Sequence, residues 1–188
     1  KRVAVIGGGN TAIDAVRTAI RLDAKQATIV YRRSEEEMPA RAEEIKHARE
    51  EGTEFFNLHN PVEYLGDESG HVTAMRLERM ELGAPDESGR RRPVATGEII
   101  TVPVDEVIIC IGYSASTLVT KSMPELEVNK WGNIIVDEGK KTSMPDVYAG
   151  GDIVRGAATV ILAMGDGRRA ATAMHQKLSG RIEEGALV

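Results

Sequence analysis

The fold is decided by the stretch Val3-Ala4-Val5-Ile6-Gly7-Gly8-Gly9-Asn10-Thr11-Ala12, after which apolar residues recur at helical spacing as far as Leu22. An apolar strand runs directly into glycines that match G-x-G-x-x-A, and a helix follows them. In such a turn Gly7 permits the tight bend, Gly9 lets the backbone approach a pyrophosphate, and Ala12 brings the helix close to the strand. The helix N-terminus then offers N–H groups to the phosphates. The sequence therefore predicts a dinucleotide site formed by Gly7, Gly8, Gly9, Asn10, Thr11 and Ala12, and the alternative is a glycine turn that serves only packing.

The residues after the second predicted strand indicate which dinucleotide binds. A site for NAD would place Asp or Glu about 20 residues beyond the turn, at the ribose 2′-hydroxyl. Counting from Ala12, Arg32 stands at that position, and Arg33 follows it. Guanidinium groups bind a 2′-phosphate through charge-assisted hydrogen bonds, whereas a carboxylate would repel it. The sequence therefore predicts NADPH, with the alternative that both arginines pair with the glutamates at 35–37 on a solvated surface.

The remainder of the segment 1–112 alternates between helical and extended patterns. A β-branched strand at 28–31 is followed by a helix at 41–51, which a glycine ends. Further extended segments, separated by a solvated loop at 85–93, are predicted at 54–57, 62–65, 72–80 and 99–104. A short apolar run at 107–111 ends at Gly112 and is typical of a strand buried in a parallel sheet. We therefore expect an α/β fold, namely a Rossmann-like three-layer dinucleotide-binding domain over 1–112 with an antiparallel strand excursion.

A second unit follows this domain. Its predicted elements are strands at 134–136 and 147–149 and a helix at about 159–178. The motif G-x-G-x-x-A recurs at Gly165-Asp166-Gly167-Arg168-Arg169-Ala170, but the sequence ends soon after it, at Val188. That length is too short for the remainder of a strand–helix–strand unit of about 30 residues. We therefore reject a second dinucleotide turn and expect Gly165 and Gly167 to be close-packing positions in a long buried helix.

Composition and charge exclude several classes of function. The 188 residues contain 24 Lys and Arg, 29 Asp and Glu, and seven aromatic residues, with a net charge of −5. A mildly acidic chain with few aromatics lacks the basic surface and stacking platforms of nucleic-acid binding. No apolar run approaches the roughly 20 residues that span a bilayer, so we expect no membrane association. The single Cys110 favours a reducing, cytoplasmic location. Because Cys110 is single and the four histidines are dispersed, we expect no disulfide, iron–sulfur cluster or metal site.

Four segments occur together and in order: Gly7-Gly8-Gly9-Asn10-Thr11-Ala12-Ile13-Asp14, Tyr31-Arg32-Arg33-Ser34, Glu37-Met38-Pro39-Ala40 and Gly89-Arg90-Arg91-Arg92-Pro93. In these segments the chain closely resembles the small (beta) subunit of NADPH-dependent glutamate synthase and its relatives, over nearly its whole length. The resemblance implies a flavin and nicotinamide oxidoreductase with two dinucleotide-binding domains, in which the NADPH domain is inserted into the FAD domain. It assigns 1–112 to the NADPH-binding domain and 113–188 to the C-terminal half of the FAD-binding domain.

The resemblance also assigns residues to a flavin site. Residues 142–152 look like the second FAD motif of the family, in which Asp152 accepts a hydrogen bond from the ribityl chain. Beyond the glycine turn and the arginines, the expected cofactor-binding residues are Gly112, Gly151, Asp152, Thr159 and Val160. The chain begins at Lys1 and carries neither an N-terminal FAD strand nor a Cys-rich iron–sulfur segment. We therefore expect a piece of a longer protein that holds half a flavin site and is inactive alone.

The favoured interpretation is a part of an enzyme that binds NADPH and passes its hydride to FAD for onward electron transfer. The cofactors supply that chemistry, so we expect no catalytic acid or base in this chain. The implied partners are the N-terminal FAD and iron–sulfur region and a large glutamate synthase-type subunit. Two alternatives stay open. One is a non-catalytic NADP(H)-binding module, and the other is a thioredoxin reductase-like flavoprotein, which the absence of a Cys pair disfavours.

Overall fold

The computed structural model describes residues 1–87 and 89–180 and divides the chain into two compact units, Lys1–Ile111 and Gly112–Val188. The first unit contains, in chain order, β1 (Arg2–Ile6), α1 (Asn10–Arg21), β2 (Gln26–Tyr31), α2 (Ala42–Glu50), β3 (Glu54–Asn57), β4 (His59–Gly66), β5 (Val72–Pro85), β6 (Arg91–Pro103) and β7 (Glu106–Ile109). A single turn of 3-10 helix, Glu35–Glu37, lies between β2 and α2. The helices of the second unit are α3 (Thr117–Ser122), α4 (Asp152–Arg155) and α5 (Val160–Leu178).

A parallel sheet in the order β3-β2-β1-β7 forms the central layer of the first unit. Alternate residues of a strand point to opposite faces, so the apolar residues of β1 must be buried on both faces of the sheet. Val3 and Val5 join a buried cluster with apolar residues of α1 and α2. Ala4 and Ile6 lie in a second cluster on the other face. The continuous apolar sequence of β1 is therefore explained by burial on both sides.

An antiparallel sheet in the order β4-β5-β6 supplies the third layer. Met75 and Leu77 of β5, together with Val104, are nearly inaccessible to solvent and belong to the cluster that contains Ala4 and Ile6. Helices, parallel sheet and antiparallel sheet thus stack as three layers around two apolar interfaces. This arrangement confirms the predicted fold class.

The antiparallel hairpin is longer than the sequence predicts. β5 extends to Pro85 and β6 starts at Arg91, with Glu81 opposite Val94 and Pro85 opposite Arg91. The polar stretch 85–93, predicted as a solvated loop, therefore supplies the beginning of β6. Periodicity could not reveal it, because most side chains from Arg91 to Glu98 are exposed and no buried face imposes an alternating pattern.

The second unit differs from its prediction in two ways. The predicted strands at 134–136 and 147–149 form only the isolated bridges Val128↔Ile134 and Lys141↔Tyr148 in the described part of the chain. The helix α5 is long, as predicted, but it is mostly exposed, and Val160 keeps 75% of its surface. Within the described residues a Cβ on Gly165 or Gly167 would meet nothing within 4 Å. The expectation that these glycines are close-packing positions in a buried helix is wrong for this chain, because α5 packs through the side that carries Asp166 and Ala173.

None of the helices in residues 1–87 and 89–180 combines the length and the hydropathy of a bilayer-spanning segment. Over the same ranges, no three His, Cys, Asp or Glu side chains come together as a potential set of metal ligands.

Candidate cofactor-binding site

The glycine turn after β1 is shaped by three different steric demands. Gly7 has φ of +144°, and a Cβ there would lie 2.2 Å from the carbonyl oxygen of Cys110. A Cβ on Gly8 would lie 2.7 Å from the ring of Tyr31. At Gly9 the nearest atom to such a Cβ is Cγ of Pro39, at 4.0 Å. Gly7 and Gly8 are thus required by the protein itself, whereas Gly9 faces room that an approaching ligand can fill.

Helix α1 begins at this turn with its N–H groups available. Gly9 is the N-cap residue, no side chain caps the helix, and the first turn carries no acidic residue. The N–H groups of Ala12 and Ile13 are bonded to the carbonyl of Gly9. Those of Asn10 and Thr11 have no acceptor among the described residues. An uncapped helix N-terminus with this partial positive charge favours an anion such as a phosphate.

A segment that the sequence analysis quoted without giving it a role braces the turn from one side. The N–H of Ala40 donates to the carbonyl of Gly8 at 3.1 Å, and the N–H of Arg41 donates to Oδ1 of Asn10 at 3.0 Å. The hydroxyl of Tyr31 donates to the carbonyl of Glu37 at 2.8 Å. Residues 37–41 therefore fix the turn and the ring against which Gly8 packs.

Arg32 and Arg33 follow β2 at the carboxyl edge of the parallel sheet, beside the turn that follows β1. Arg32 is exposed and has no hydrogen-bonding or ionic partner among the described residues. Arg33 keeps 9% of its surface, and its guanidinium carbon lies 5.7 Å from the centroid of the Tyr31 ring. Its Nε atom is buried without a partner in the part of the chain that the structure describes. Open α/β sheets bind ligands at this edge of their strands.

The neighbouring glutamates do not pair with these arginines. Glu35 accepts a hydrogen bond from Arg49. Glu37 closes a capping box with Ser34, whose N–H donates to Glu37 Oε2 at 3.1 Å. The alternative in which the glutamates at 35–37 neutralise the two arginines is therefore not what the described residues show. Asn57, which lies opposite Tyr31 on β3 and has a buried, unpartnered Oδ1, is a further polar group at this edge that the sequence analysis missed.

The second predicted turn, Gly150-Gly151-Asp152, leads into the one-turn helix α4. Gly151 has φ of +72°, and a Cβ on Gly150 would lie 2.7 Å from Cβ of Asp166. Asp152 is the first residue of α4 and is exposed. Its Oδ1 accepts a hydrogen bond from the N–H of Ala158 at 3.3 Å. No described residue donates a hydrogen bond to its other oxygen, and the carboxylate lines a cavity of about 700 Å³ together with Tyr113 and Trp131.

The remaining predicted cofactor-binding residues, Gly112, Thr159 and Val160, lie in the second unit. Thr159 is the N-cap of α5, and its hydroxyl accepts a hydrogen bond from Leu162 at 3.4 Å. Val160, the first residue of α5, is exposed. Gly112 has φ of +86°, and a Cβ there would meet nothing within 4 Å in the described ranges. Its backbone conformation, rather than a close approach, accounts for glycine at this position.

The buried carboxylate of Asp166, for which the sequence predicts no role, supports this turn. Asp166 of α5 has no solvent-accessible surface. It accepts hydrogen bonds from Gly151 N at 3.0 Å and from Arg155 Nε and Nη2 at 2.6 and 2.7 Å, and it lies 3.1 Å from Nζ of Lys140. The hydrogen bonds from Arg155 hold the pKa of Asp166 well below its usual range, and the Gly151 N–H and Lys140 lower it further against the opposing effect of burial.

Known proteins resemble this chain in sequence and in fold. The model of the pyridine nucleotide-disulphide oxidoreductase family matches residues 1–175. The glutamate synthase [NADPH] small chain of Escherichia coli K12 is 44% identical over 177 residues, which are 91% of this chain and 37% of that protein. The NADP(+)-dependent formate dehydrogenase subunit beta of Moorella thermoacetica is 45% identical over 180 residues, which are 95% of this chain and 25% of that protein. The thioredoxin reductase of T. acidophilum has a TM-score of 0.78 and 26% identity, over 95% of this chain and 53% of that one.

These matches decide the family. The resemblance to the small subunit of glutamate synthase that the motifs predicted is confirmed. The chain spans 37% and 25% of the length of the two curated relatives, so it corresponds to a part of each. Because the family model extends over nearly all of the sequence, the chain belongs to the pyridine nucleotide-disulphide oxidoreductase family.

Proposed function

We propose that this chain is the NADPH-binding domain and the C-terminal part of the FAD-binding domain of an oxidoreductase of the glutamate synthase small-subunit type. In this proposal residues 1–112 bind NADPH and residues 113–188 contribute to the flavin site. The observation that carries the proposal is the pair Arg32 and Arg33, which no carboxylate neutralises among the described residues, at the same sheet edge as the uncapped N-terminus of α1.

The residues of the first unit fit NADPH. The N–H groups of Asn10 and Thr11 would hold the pyrophosphate, which would approach the backbone over Gly9, where a Cβ would find open room. The guanidinium groups of Arg32 and Arg33 would hold the 2′-phosphate. The buried Nε of Arg33 lacks a partner that a phosphate oxygen would supply, and buried polar groups rarely go without one.

The residues of the second unit fit one side of a flavin nucleotide. Asp152 would accept a hydrogen bond from the ribityl chain, Gly151 would allow the backbone to come close, and Thr159 and Val160 would present the N-terminus of α5. When bound, NADPH supplies a hydride and FAD accepts it for onward electron transfer. The chain's own residues bind and orient the two groups, and we assign none of them as a catalytic acid or base.

The share of each relative that the chain covers supports a proposal about its partners. We propose that the rest of the flavin site and the iron–sulfur region lie in sequence outside this chain, and that the whole protein works with a large glutamate synthase-type subunit in the cytoplasm. The relatives named above differ in the reaction that they serve, since one is a small chain of glutamate synthase and one is a subunit of a formate dehydrogenase. NADP(H) is thus the cofactor that the names of these two relatives have in common.

Two other functions are less well supported. A non-catalytic NADP(H)-binding module would not require Asp152 to line a cavity. It would also not require the buried carboxylate of Asp166 next to the turn at 150–152. A thioredoxin reductase-like function would agree with the fold, but a dithiol reaction needs a Cys pair, and Cys110 is the single cysteine of the sequence.

Anaerobic reduction of the flavoprotein that contains this chain tests the proposed function. NADPH should bleach the visible absorbance of its bound flavin, and Asp152→Ala should reduce the amount of flavin that the protein retains. Glu138→Ala, which removes another exposed carboxylate of the second unit, is the matched control and should retain the flavin. A protein that binds NADPH but contains no flavin would support the non-catalytic module instead.

A further inference from the structure

The proposed function does not explain why the carboxylate of Asp166 is buried. A charged group with no accessible surface is costly to bury unless cations and hydrogen-bond donors compensate it. Asp166 lies within the second G-x-G-x-x-A of the sequence, where the motif itself gives it no role. The burial of Asp166 in α5 therefore needs a separate explanation.

The contacts of Asp166 converge on one short element. Gly151, whose N–H donates to Asp166 Oδ2 at 3.0 Å, is the N-cap residue of α4. Arg155, whose guanidinium donates to both oxygens of the same carboxylate at 2.6 and 2.7 Å, is the last residue of α4. One carboxylate therefore clamps both ends of the helix that begins with Asp152.

The packing around these contacts leaves the turn at 150–152 little conformational freedom. The position of a Cβ on Gly150 is 2.7 Å from Cβ of Asp166, so the turn rests directly on α5. Gly151 occupies φ of +72° and ψ of −150°, a conformation that is nearly restricted to glycine. Such a backbone persists only where its surroundings fix it, and the hydrogen bond to Asp166 is the contact that fixes the Gly151 N–H.

We propose that Asp166 is a positioning residue for the flavin side of the site: through Gly151 and Arg155 it sets the orientation of α4 and so of the Asp152 carboxylate. The proposal rests on the proposed function, since it takes Asp152 as the group that contacts the flavin nucleotide. Asp166 itself touches no ligand in this scheme.

Lys140 distinguishes positioning from general stabilisation. Its Nζ lies 3.1 Å from Asp166 Oδ1 and its side chain is almost as buried as the carboxylate, but it belongs to a turn outside α4. Lys140→Gln removes one charge from the same buried cluster and keeps the contacts of Gly151 and Arg155. If the cluster has a purely structural role, substitutions of Lys140 and of Asp166 should change FAD binding to a similar extent. If Asp166 is a positioning residue, only the substitution of Asp166 should change FAD binding.

The experiment compares Asp166→Asn and Lys140→Gln with the unmodified flavoprotein that contains this chain, by the dissociation constant for FAD and by the visible circular dichroism of the bound flavin. Asp166→Asn should weaken FAD binding on the order of tenfold, as expected when charge-assisted hydrogen bonds are lost, and should change the dichroism. Lys140→Gln should leave both close to the unmodified protein. In the same chain without FAD, the Gly151 amide should exchange its hydrogen faster in Asp166→Asn only.

The outcomes separate this proposal from the proposed function. Equal weakening by both substitutions, or an unchanged dissociation constant and dichroism in Asp166→Asn, would overturn the positioning role while the flavin site stands. If the unmodified protein binds no FAD, the proposed function fails and this role fails with it. Should Asp166→Asn not fold, Arg155→Lys keeps the charge but loses the two-pronged contact, and it should weaken FAD binding several-fold. Unchanged FAD binding in Arg155→Lys would contradict the proposal.

Discussion

The two glycine turns of this protein are stabilised by different kinds of contact. The contacts of the turn at 7–9 are neutral: the N–H of Gly7 donates to the carbonyl of Val30, and the N–H of Ala40 donates to the carbonyl of Gly8. The Tyr31 ring and the Cys110 carbonyl limit the space around Gly8 and Gly7. The turn at 150–152 rests on a buried, ionised carboxylate with two cationic partners. A turn that must bind a polyanion gains from having no nearby carboxylate, because an acidic support would oppose the phosphates. The second turn presents an acceptor, so an anion beneath it is compatible with its role.

The largest effect is expected from Gly7→Ala. The new Cβ would lie 2.2 Å from a backbone oxygen, and φ of +144° is strained for alanine, so the free energy of unfolding of the first unit should fall by about 3 kcal/mol or more. Gly52→Ala is the matched control, because its φ is +94° but no atom lies within 4 Å of the new Cβ in the described residues. It should cost only about 1–2 kcal/mol. Denaturant titration of both variants measures the difference, and equal losses would show that sterics at Gly7 do not matter.

A smaller loss is expected from Gly150→Ala in the second turn. Its Cβ would meet Cβ of Asp166 at 2.7 Å, and a small displacement of α5 can relieve that contact, so the expected cost is about 1–3 kcal/mol. Gly156→Ala, with φ of +79° and no neighbour within 4 Å in the described ranges, separates steric contact from backbone strain in the same unit. Hydrogen exchange at the Gly151 amide should accelerate in Gly150→Ala and stay unchanged in Gly156→Ala.

The response to acid should sharpen the contrast between the two turns. The pKa of Asp166 is depressed in the folded protein, so its stabilisation is complete above the ordinary Asp value of about 3.9 and is lost as the pH falls through the lower folded-state pKa. The NMR signal of the Gly151 amide should therefore stay constant down to about pH 4 and move only below it. The amide of Ala40, bonded to the carbonyl of Gly8, has no carboxylate partner and should not follow this titration. A shift of the Gly151 signal centred near the ordinary Asp pKa would show that the carboxylate is not held ionised.

The smallest effect is expected from Gly165→Ala. A Cβ at this helical position meets nothing within 4 Å in the described part of the chain, and alanine has the higher helix propensity, so the second unit should gain about 0.5–1 kcal/mol. Thermal denaturation measures this gain. A loss of stability would restore the interpretation of Gly165 as a close-packing position.

The first turn could be predicted from the sequence because its information is local. Strand, glycines and helix follow one another directly between Arg2 and Arg21, and the counting that places Arg32 after β2 depends only on regular element lengths. The three layers were expected from the apolar runs of the strands, although the sheet joins segments as distant in sequence as Val3 of β1 and Glu106 of β7. Local rules were sufficient for the single elements and for the first turn, in which neighbours in sequence are also neighbours in space.

The support of the second turn could not be predicted, because the residues that supply it are distant in sequence. Asp166 is 15 residues from Gly151 in the sequence and farther still from Lys140, and helical periodicity does not mark an isolated buried acid on a small-residue helix. The brace at 37–41 was missed for a similar reason, since Ala40 meets Gly8 only after α1 and β2 have folded. The length of the hairpin was missed because exposed strands carry no alternating pattern.

Calorimetric titration of NADPH and NADH into the chain, with Arg32 and Arg33 present or both replaced by Ala, tests the NADPH assignment most directly. The unmodified chain should bind NADPH at least about tenfold more tightly than NADH, because the guanidinium groups form charge-assisted hydrogen bonds with the 2′-phosphate. The Arg32→Ala, Arg33→Ala variant should lose most of that preference and still bind NADH, since the turn at 7–12 is unchanged. Arg90→Ala, Arg92→Ala removes the same charge from the distant hairpin and should keep the preference. Equal affinity of the unmodified chain for the two nucleotides, or equal weakening of both by the Arg32 and Arg33 substitutions, would contradict the 2′-phosphate site.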